Sequence, residues 1–382
     1  MKSKVVYVFV EPTRPTPPWY ALSIAALKKA AARRKLSIQT INSLDEAYTD
    51  AGTRAIVVIG SNDPWIHEVT ASLHAHNIHP VLMGSAPGKF GEHVSGTQYS
   101  NKSSVEALMQ YYYHCGRRRI ALMGINSNSS NDIIKCETFI RTGHSLGIPA
   151  GHEDIFIRNA GSDNPAENFY QNIARYDGVI CISDYIAIYL MQRSAALGVR
   201  VPEDLFVSGT NDILLCRYTR PTRTTTVRRY PEAGEQAFNI WDFLTSNPGS
   251  MPLVTTVPCE IIIRGSTAFM PPPQFPLTGE IKKDPPPDMS APQEIASMRI
   301  RALDKCLTQC DALDMRILQG LFSNQTIEQM AESFFISEGT VSYRLKKLYI
   351  AAGVQSRSEL ESLFRHYIPG DEIFSTGDKI KF

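Results

Sequence analysis

The sequence lacks a net charge, a cysteine-pair motif and a long apolar run. Its 382 residues carry 39 Lys and Arg against 38 Asp and Glu, so the formal net charge is +1. Such a balance gives no general attraction to nucleic acid, and any DNA contact must come from a local cationic patch. The seven cysteines are scattered without a C-x-x-C pair. This pattern is typical of reduced thiols in the cytosol and not of a disulfide framework.

Membrane and targeting segments are also missing. No apolar run approaches the length of a membrane span. The six apolar residues at positions 5–10 are too few for the apolar core of a signal peptide. We therefore expect no membrane partner and a cytoplasmic location.

The motifs that mark common enzymes are absent too. The sequence contains no nucleophile elbow, no P-loop, no G-x-G-x-x-G and no metal-ligand motif. We expect no catalytic residues, no cofactor and no metal site.

What the first 268 residues do contain is an alternation of short apolar strands with helices. Strands are predicted at 5–10, 37–41, 55–59 and 80–83, with helices at 19–35 and 64–76. A similar series runs from 102 to 208, and two late strands follow at 222–229 and 254–265. This pattern predicts an α/β fold of two lobes, each a doubly wound parallel sheet, with a ligand cleft at the carboxyl ends of the strands.

Several short motifs in these residues point to a family. They are GRRRIA at 116–121, DGVI at 177–180, GVRVPED at 198–204, GTND at 209–212, TTTV at 224–227 and IRGST at 263–267. On these motifs, residues 1–268 resemble the effector-binding domain of the lactose-repressor (LacI-type) family, which has a periplasmic-binding-protein-like fold. That family carries a helix-turn-helix before this domain. Here the first strand is expected from residue 4, so a DNA-binding segment is sought at the other end.

The resemblance implies where an effector binds. We expect contacts from seven residues: Trp19, Tyr20, Asn62, Lys135, Ser183, Asp184 and Asn211. Flat aromatic rings suit the face of a sugar or of a purine. One of the two adjacent rings is expected to pack in the core. The preferred effector is a sugar or polyol, and a nucleobase stays open.

Residues 269–292 are rich in proline and are predicted to be an extended linker. A helix at 293–310 follows, with Ile295, Met298, Ala302 and Cys306 on one face. This helix is either a packing element of the next domain or a connector or dimer helix. A tail at 368–382 ends the chain.

Two short helices are predicted between residues 326 and 352. Thr326 and Gln329 form a capping box, and Ser337 caps the second helix. The stretch between Glu338 and Glu359 carries four positive side chains and no carboxylate. Its predicted DNA-binding residues are Thr340, Ser342, Tyr343, Arg344, Lys346 and Lys347. This is the pattern of a helix-turn-helix whose second helix enters the major groove of double-stranded DNA.

Residues 311–367 resemble the LuxR-type DNA-binding domain. The resemblance is carried by Asp314, Met330-Ala331, Ile336-Ser337, Thr340-Val341, Gly353-Val354 and Ser356-Arg357. Phe335 stands where that family usually has a glycine, and Arg344 where it usually has a histidine.

A last helix is predicted from the capping pair Ser356 and Glu359. Its stripe of Leu360, Leu363, Phe364 and Tyr367 is expected to pair with a second copy in a homodimer, or to cover the domain's own core. The whole pattern predicts a ligand-responsive transcriptional regulator. The alternatives are a cytoplasmic solute-binding protein, a purine-type sensor and, less favoured, an unrecognised α/β enzyme.

Overall fold

The structure, a computed structural model, describes residues 5–13, 18–50, 52–157, 165–247, 249–269 and 293–368. The predicted linker and tail lie outside these residues, apart from Phe269 and Ile368. Within the described part, no helix is long and apolar enough to cross a membrane.

Twelve strands form two six-stranded sheets. The strands are β1 Val5–Val10, β2 Ser37–Ile41, β3 Ala55–Ile59, β4 His79–Met83, β5 Ser95–Tyr99, β6 Ile120–Ile125, β7 Ile155–Ile157, β8 Gly178–Cys181, β9 Phe206–Thr210, β10 Thr224–Arg228, β11 Val254–Val257 and β12 Cys259–Ile262. The first sheet has the order β11-β5-β4-β3-β1-β2 and the second β12-β10-β9-β8-β6-β7. All five pairings of the first sheet are parallel. The predicted pair of doubly wound parallel sheets is confirmed.

Thirteen α-helices lie in the described residues. They are α1 Pro18–Ala32, α2 Asp45–Tyr48, α3 Asp63–Ala75, α4 Asn101–His114, α5 Ser130–Leu146, α6 Pro165–Gln171, α7 Asp184–Ala196, α8 Tyr230–Ser246, α9 Gln293–Thr308, α10 Ala312–Phe322, α11 Ile327–Phe334, α12 Glu338–Ala352 and α13 Arg357–Tyr367. The bounds follow the predicted ones within a few residues. The sequence reading did not identify β5, α2 or α8.

The chain divides into two compact units with interleaved segments. The first contains Met1–Gln110, Ile125–Asn159 and Val227–Ile261; the second contains Tyr111–Gly124, Ala160–Thr226 and Ile262–Phe382. In the first unit, β3 is buried along its whole length. Such a strand reads as a continuous apolar run because helices cover both faces of a parallel sheet. One face packs against α1 and α8 through Leu27, Phe238 and Trp241.

Helix α9 belongs to the second unit and buries a different face from the one predicted. Ala296, Ile300, Leu303 and Leu307 are almost fully buried, at spacings of three and four residues. Met298, predicted to lie on the apolar stripe, is 61% exposed. The buried face is offset from the predicted one because α9 packs both on α7 and on α12.

Candidate functional site

At the end of β1, the carboxylate of Glu11 accepts several hydrogen bonds within the first unit. Its Oε2 accepts the Tyr20 hydroxyl at 2.5 Å and the backbone N–H of Ser61 at 2.6 Å. Tyr20 has no exposed surface and belongs to the core cluster. Burial and then the bond to Glu11 raise the pKa of Tyr20. The expectation that one of the two adjacent rings packs in the core is therefore confirmed, and Tyr20 is that ring.

Its neighbour Trp19 is half-buried and stands edge-on to Tyr20, with ring centroids 4.3 Å apart. Gly84, at the end of β4, has φ +91°, and a Cβ there would lie 3.5 Å from Trp19 and 3.3 Å from the Tyr99 ring. A positive φ favours glycine. Because Gly84 has no side chain, the rings of Trp19 and Tyr99 can both lie close to its backbone. This part of the first unit offers an aromatic surface.

The other two predicted residues of the first unit are used by the chain itself. Asn62 is the N-cap of α3, and its side chain accepts the N–H of Trp65 at 3.0 Å. Lys135 is 4% exposed, and its Nζ lies 2.8 Å from Asp132. The Asn62 cap uses its side-chain oxygen, and the Lys135 ammonium is buried beside a carboxylate, so the effector contacts of both residues stay predictions.

Three predicted effector residues lie in the second unit, so the seven are divided four and three. Ser183 caps α7 through the N–H of Tyr185, as its place at a strand end predicts. Asp184 is fully buried. Its Oδ1 accepts the Thr225 hydroxyl at 2.8 Å and its Oδ2 the N–H of Ile213 at 3.2 Å. Both oxygens of Asp184 are thus bonded within the chain, and its predicted effector contact stays a prediction.

The loop that Asp184 holds begins at Asn211. Asn211 and Asp212 both have positive φ, 109° and 49°, a conformation that Asn and Asp adopt more readily than most residues. Asp212 forms an ion pair with Arg264 at 2.7 Å. A 3₁₀ turn at Leu214–Arg217 follows. The loop is thus held by the bond from Ile213 to Asp184 and by the ion pair between Asp212 and Arg264.

The second holding point lies on α9. Asp304, 9% exposed, accepts the backbone N–H of Leu215 at 3.0 Å. Burial raises the pKa of Asp304 to about 6, although the N–H of Leu215 lowers it. Burial likewise raises the pKa of Asp184 to about 6, against the lowering charge of the buried Arg223. No sequence pattern marks Asp304, because its contact with the loop depends on packing between segments that are far apart in the chain.

The helices after α9 form a helix–turn–helix arrangement with the predicted caps. Thr326 and Gln329 make a reciprocal capping box, and Ser337 accepts the N–H of Thr340. The turn residue Phe335 has φ 57° and ψ 45° and is 94% exposed. The departure from glycine thus leaves a bulky side chain in a left-handed turn.

The polar side of α12 is not uniformly open. Tyr343 is 69% exposed, and Lys346 is exposed as well; Thr340 and Ser342 are half-buried. Arg344 instead contacts Asp311 and reaches Asp314 at 3.0 Å. Lys347 lies 3.4 Å from the same Asp314, which is fully buried. Two of the three cations predicted to contact DNA therefore pair with acids of α10 or its N-cap.

The stripe on α13 also lies inside the chain. Leu360, Phe364 and Tyr367 are at most 3% exposed, and Leu363 is half-buried. The Phe364 ring packs 5.4 Å from that of Phe322. Burial raises the pKa of Tyr367 to about 12. Of the two roles expected for this stripe, the burial favours the second, because α13 closes the helical domain's own core.

Further contacts hold these helices to the rest of the second unit. The Gln192 side chain on α7 donates to the His366 carbonyl at 2.9 Å. On α9, the Cys306 thiol donates to the Leu348 carbonyl of α12 at 3.7 Å. The α9 helix thus contacts both the α/β part of its unit and the helix–turn–helix.

Comparison with known proteins supports part of this picture. Residues 109–267 match the family described as periplasmic binding protein-like domain. Catabolite control protein A of Staphylococcus epidermidis is 24% identical over 44% of this chain and 51% of its own length. The transcriptional repressor PurR of Vibrio vulnificus is 39% identical over 34% of this chain and 40% of its own. The chain thus spans about half, or less, of these curated relatives.

Solved structures show the same fold. A complex of the transcriptional regulator CelR with cellobiose superposes with TM-score 0.61 at 16% identity, over 69% of this chain and 85% of the other. The regulator CCPA of Weissella paramesenteroides with bound sucrose gives 0.55 at 19% identity, over 70% and 99%. The chain thus shares its two-sheet α/β fold with these solved regulators, and the family match lies in residues 109–267. The relatives are transcriptional regulators and not enzymes.

Proposed function

We propose that this protein is a ligand-responsive transcriptional regulator. Its α/β domain, residues 1–268, takes a small effector, and residues 311–367 act as a LuxR-type helix-turn-helix on double-stranded DNA. Residues 269–292 and 293–310 join the two as linker and connector helix. Relatedness to transcriptional regulators supports the assignment, as do the capped helices α11 and α12. Such a role places the protein in the cytoplasm.

The contact between Asp304 and Leu215 carries the proposal. Asn211 begins the loop that the family resemblance assigns to the effector. Four residues later, the same loop donates its N–H to α9, which packs on α12. An effector that binds two arrangements of this loop with different affinity shifts the equilibrium between them. Because Asp304 is buried with the loop, the shift reaches the helix–turn–helix through α9.

The open part of α12 defines the DNA-facing surface. Tyr343 and Lys346 are exposed, and Arg344 pairs with Asp314 against α10. Lys347 lies 3.4 Å from the same acid, although its side chain is still 44% exposed. One helix with so few free cations makes few phosphate contacts. We infer that the protein binds DNA as a symmetric homodimer, with two recognition helices about 34 Å apart. The buried α13 stripe does not supply that dimer surface.

A small polyol is the effector class we favour. Half-buried Trp19 beside Gly84 offers a flat apolar surface, as sugar rings need. Solved relatives carry cellobiose and sucrose, which favours sugars. A purine is the alternative effector class, because of the similarity to PurR.

The test is a titration of the full chain on a random-sequence duplex over a range of salt concentrations. We expect log affinity to fall linearly with log salt. Lys346→Ala should reduce the slope by about 1, the loss of one phosphate contact. Lys28→Ala, an exposed lysine on α1, is the matched control and should leave the slope unchanged.

No binding to any duplex at low salt would overturn the assignment and leave a cytoplasmic solute-binding protein. Equal effects of the two lysine substitutions would instead show that α12 is not the DNA-facing surface.

A further inference from the structure

The guanidinium of Arg228, at the end of β10, has an unusual position in the first unit. It lies over the Tyr99 ring, with Cζ 5.1 Å from the ring centroid. Arg228 is half-buried, and among the described residues it has neither a hydrogen bond nor an ion pair. The next residue, Arg229, contacts Glu260 and lies 3.8 Å from Glu232. A half-buried cation without a carboxylate partner is costly unless something else binds it.

A second polar group at the same place lacks a partner. The Tyr99 side chain is 3% exposed, and its hydroxyl is buried without a hydrogen bond. Buried tyrosine hydroxyls usually find a partner, so an unpaired one calls for a missing group. Tyr99 adjoins Gly84, which also adjoins Trp19. The two unpaired donors therefore border the aromatic surface proposed for the effector.

The cations beside Arg228 have acidic partners of their own. Lys135 pairs with Asp132, whose other oxygen accepts the N–H of Asn126. Arg229 pairs with Glu260 and Glu232. Arg228 and Lys135 both act on the Cys259 thiol; burial raises the pKa of that thiol and the two cations lower it. Among the described residues, Arg228 is thus the cation of this group without a carboxylate partner.

We propose that Arg228 and Tyr99 form a subsite for an acidic group, so that the effector is a small polyol bearing a carboxylate or a phosphate. The proposal rests on the proposed function and narrows its ligand class from neutral sugars to anionic ones. The planar guanidinium presents parallel N–H groups that match two oxygens of either acid. The Tyr99 hydroxyl donates to the same acid, and the polyol part lies toward Trp19.

The experiment uses inorganic phosphate as the minimal acid, with sodium chloride at equal ionic strength as reference. Thermal unfolding of the full chain is followed as phosphate is added. We expect a saturable rise in Tm that chloride does not give. Arg228→Gln should raise the half-saturating concentration at least about tenfold, as expected for the loss of a charge-assisted hydrogen bond.

The matched control is Arg229→Gln, which removes a neighbouring arginine that already has acidic partners. Its phosphate response should equal that of the wild type. Arg228→Lys keeps the positive charge but loses the paired N–H groups of the guanidinium. Its half-saturating phosphate concentration should lie between those of the wild type and Arg228→Gln. Tyr99→Phe should weaken phosphate binding without lowering the Tm of the free protein, because the hydroxyl it removes has no partner.

No saturable response in the wild type overturns the subsite, and so does the same response from Arg228→Gln and Arg229→Gln. If Arg228→Gln fails to fold, the Arg228→Lys and Tyr99→Phe responses decide. DNA binding by the wild type is measured separately. Loss of the subsite with intact DNA binding leaves the proposed regulator with a neutral effector; an intact subsite without DNA binding leaves an anion-binding protein that is no regulator.

Discussion

Two fully buried aspartates in the second unit are held in different ways. Asp314, in the helix–turn–helix part, lies within 3.0 Å of Arg344 and 3.4 Å of Lys347. Asp184, in the α/β part, is held by the Thr225 hydroxyl and the N–H of Ile213. Asp314 pairs directly with two cations, whereas the hydrogen-bond donors of Asp184 are neutral and the buried Arg223 acts on it through its charge without a direct ion pair.

The difference matters because neutral donors compensate burial less completely than cations do. Burial raises the pKa of Asp184, and also that of Asp304, to about 6. The two acids that hold the loop at Asn211 therefore have pKa values close to the pH range in which they would change their charge. The acid that contacts α12 is instead held by ion pairs. We call the loop held by Asp184 and Asp304 the responsive part, and the helix–turn–helix held by Asp314 the fixed part. The α9 helix contacts both.

The largest effect is expected from breaking the fixed part with Asp314→Ala. This leaves Arg344 with only the exposed Asp311, takes the acid away from Lys347, and removes half of a capping box. We expect α10–α12 to lose about 3 kcal/mol of stability. Hydrogen exchange of the α12 amides measures the loss locally. Glu106→Gln, which breaks a surface pair with Arg141, should cost less than about 1 kcal/mol. If Asp314→Ala and Glu106→Gln cost the same stability, the buried ion pairs of Asp314 would be no stronger than a surface pair.

The responsive part is probed by pH with Asp304→Asn. A raised pKa means that the folded chain holds the proton more tightly than the unfolded chain. The stability from this group is therefore full below 3.8 and is lost as the pH rises through about 6. The shift corresponds to at most roughly 3 kcal/mol. Urea unfolding of the wild type between pH 4 and 7 should show this fall, and Asp304→Asn should flatten it.

Asp45→Asn, at an exposed position of α2, is the control and should keep the wild-type slope. A pH profile unchanged by Asp304→Asn would show that the loop and α9 are held as rigidly as the helix–turn–helix.

The smallest effect is expected at the turn of the fixed part. Phe335 has a left-handed backbone and is 94% exposed, so its side chain contributes little packing to offset the strain. Phe335→Gly should stabilise the domain by roughly 0.5–1 kcal/mol, seen as slower hydrogen exchange in α11 and α12. Asn324→Gly, also at positive φ, should gain less because Asn tolerates this conformation. A loss of stability would show that Phe335 makes a contact that the fold needs.

The sequence alone determined the parts of this protein that depend on near neighbours. The apolar runs of β1 and β3, the capping pair Thr326 and Gln329, and the Ser337 cap were all predicted and confirmed. Each follows from residues within a few positions, through periodicity or a local hydrogen bond. The two-lobed fold followed because alternating strands and helices leave few other topologies.

Only the tertiary structure decided how the charged and aromatic side chains are used. Arg344 and Lys347 were indistinguishable in sequence from Lys346, yet a buried acid about thirty residues away pairs with the first two. The same holds for Phe364, which the core covers, and for Arg228, whose neighbours come from separate segments. The pairing and burial of such groups depend on residues far apart in the chain, and a local pattern contains no information about those distances.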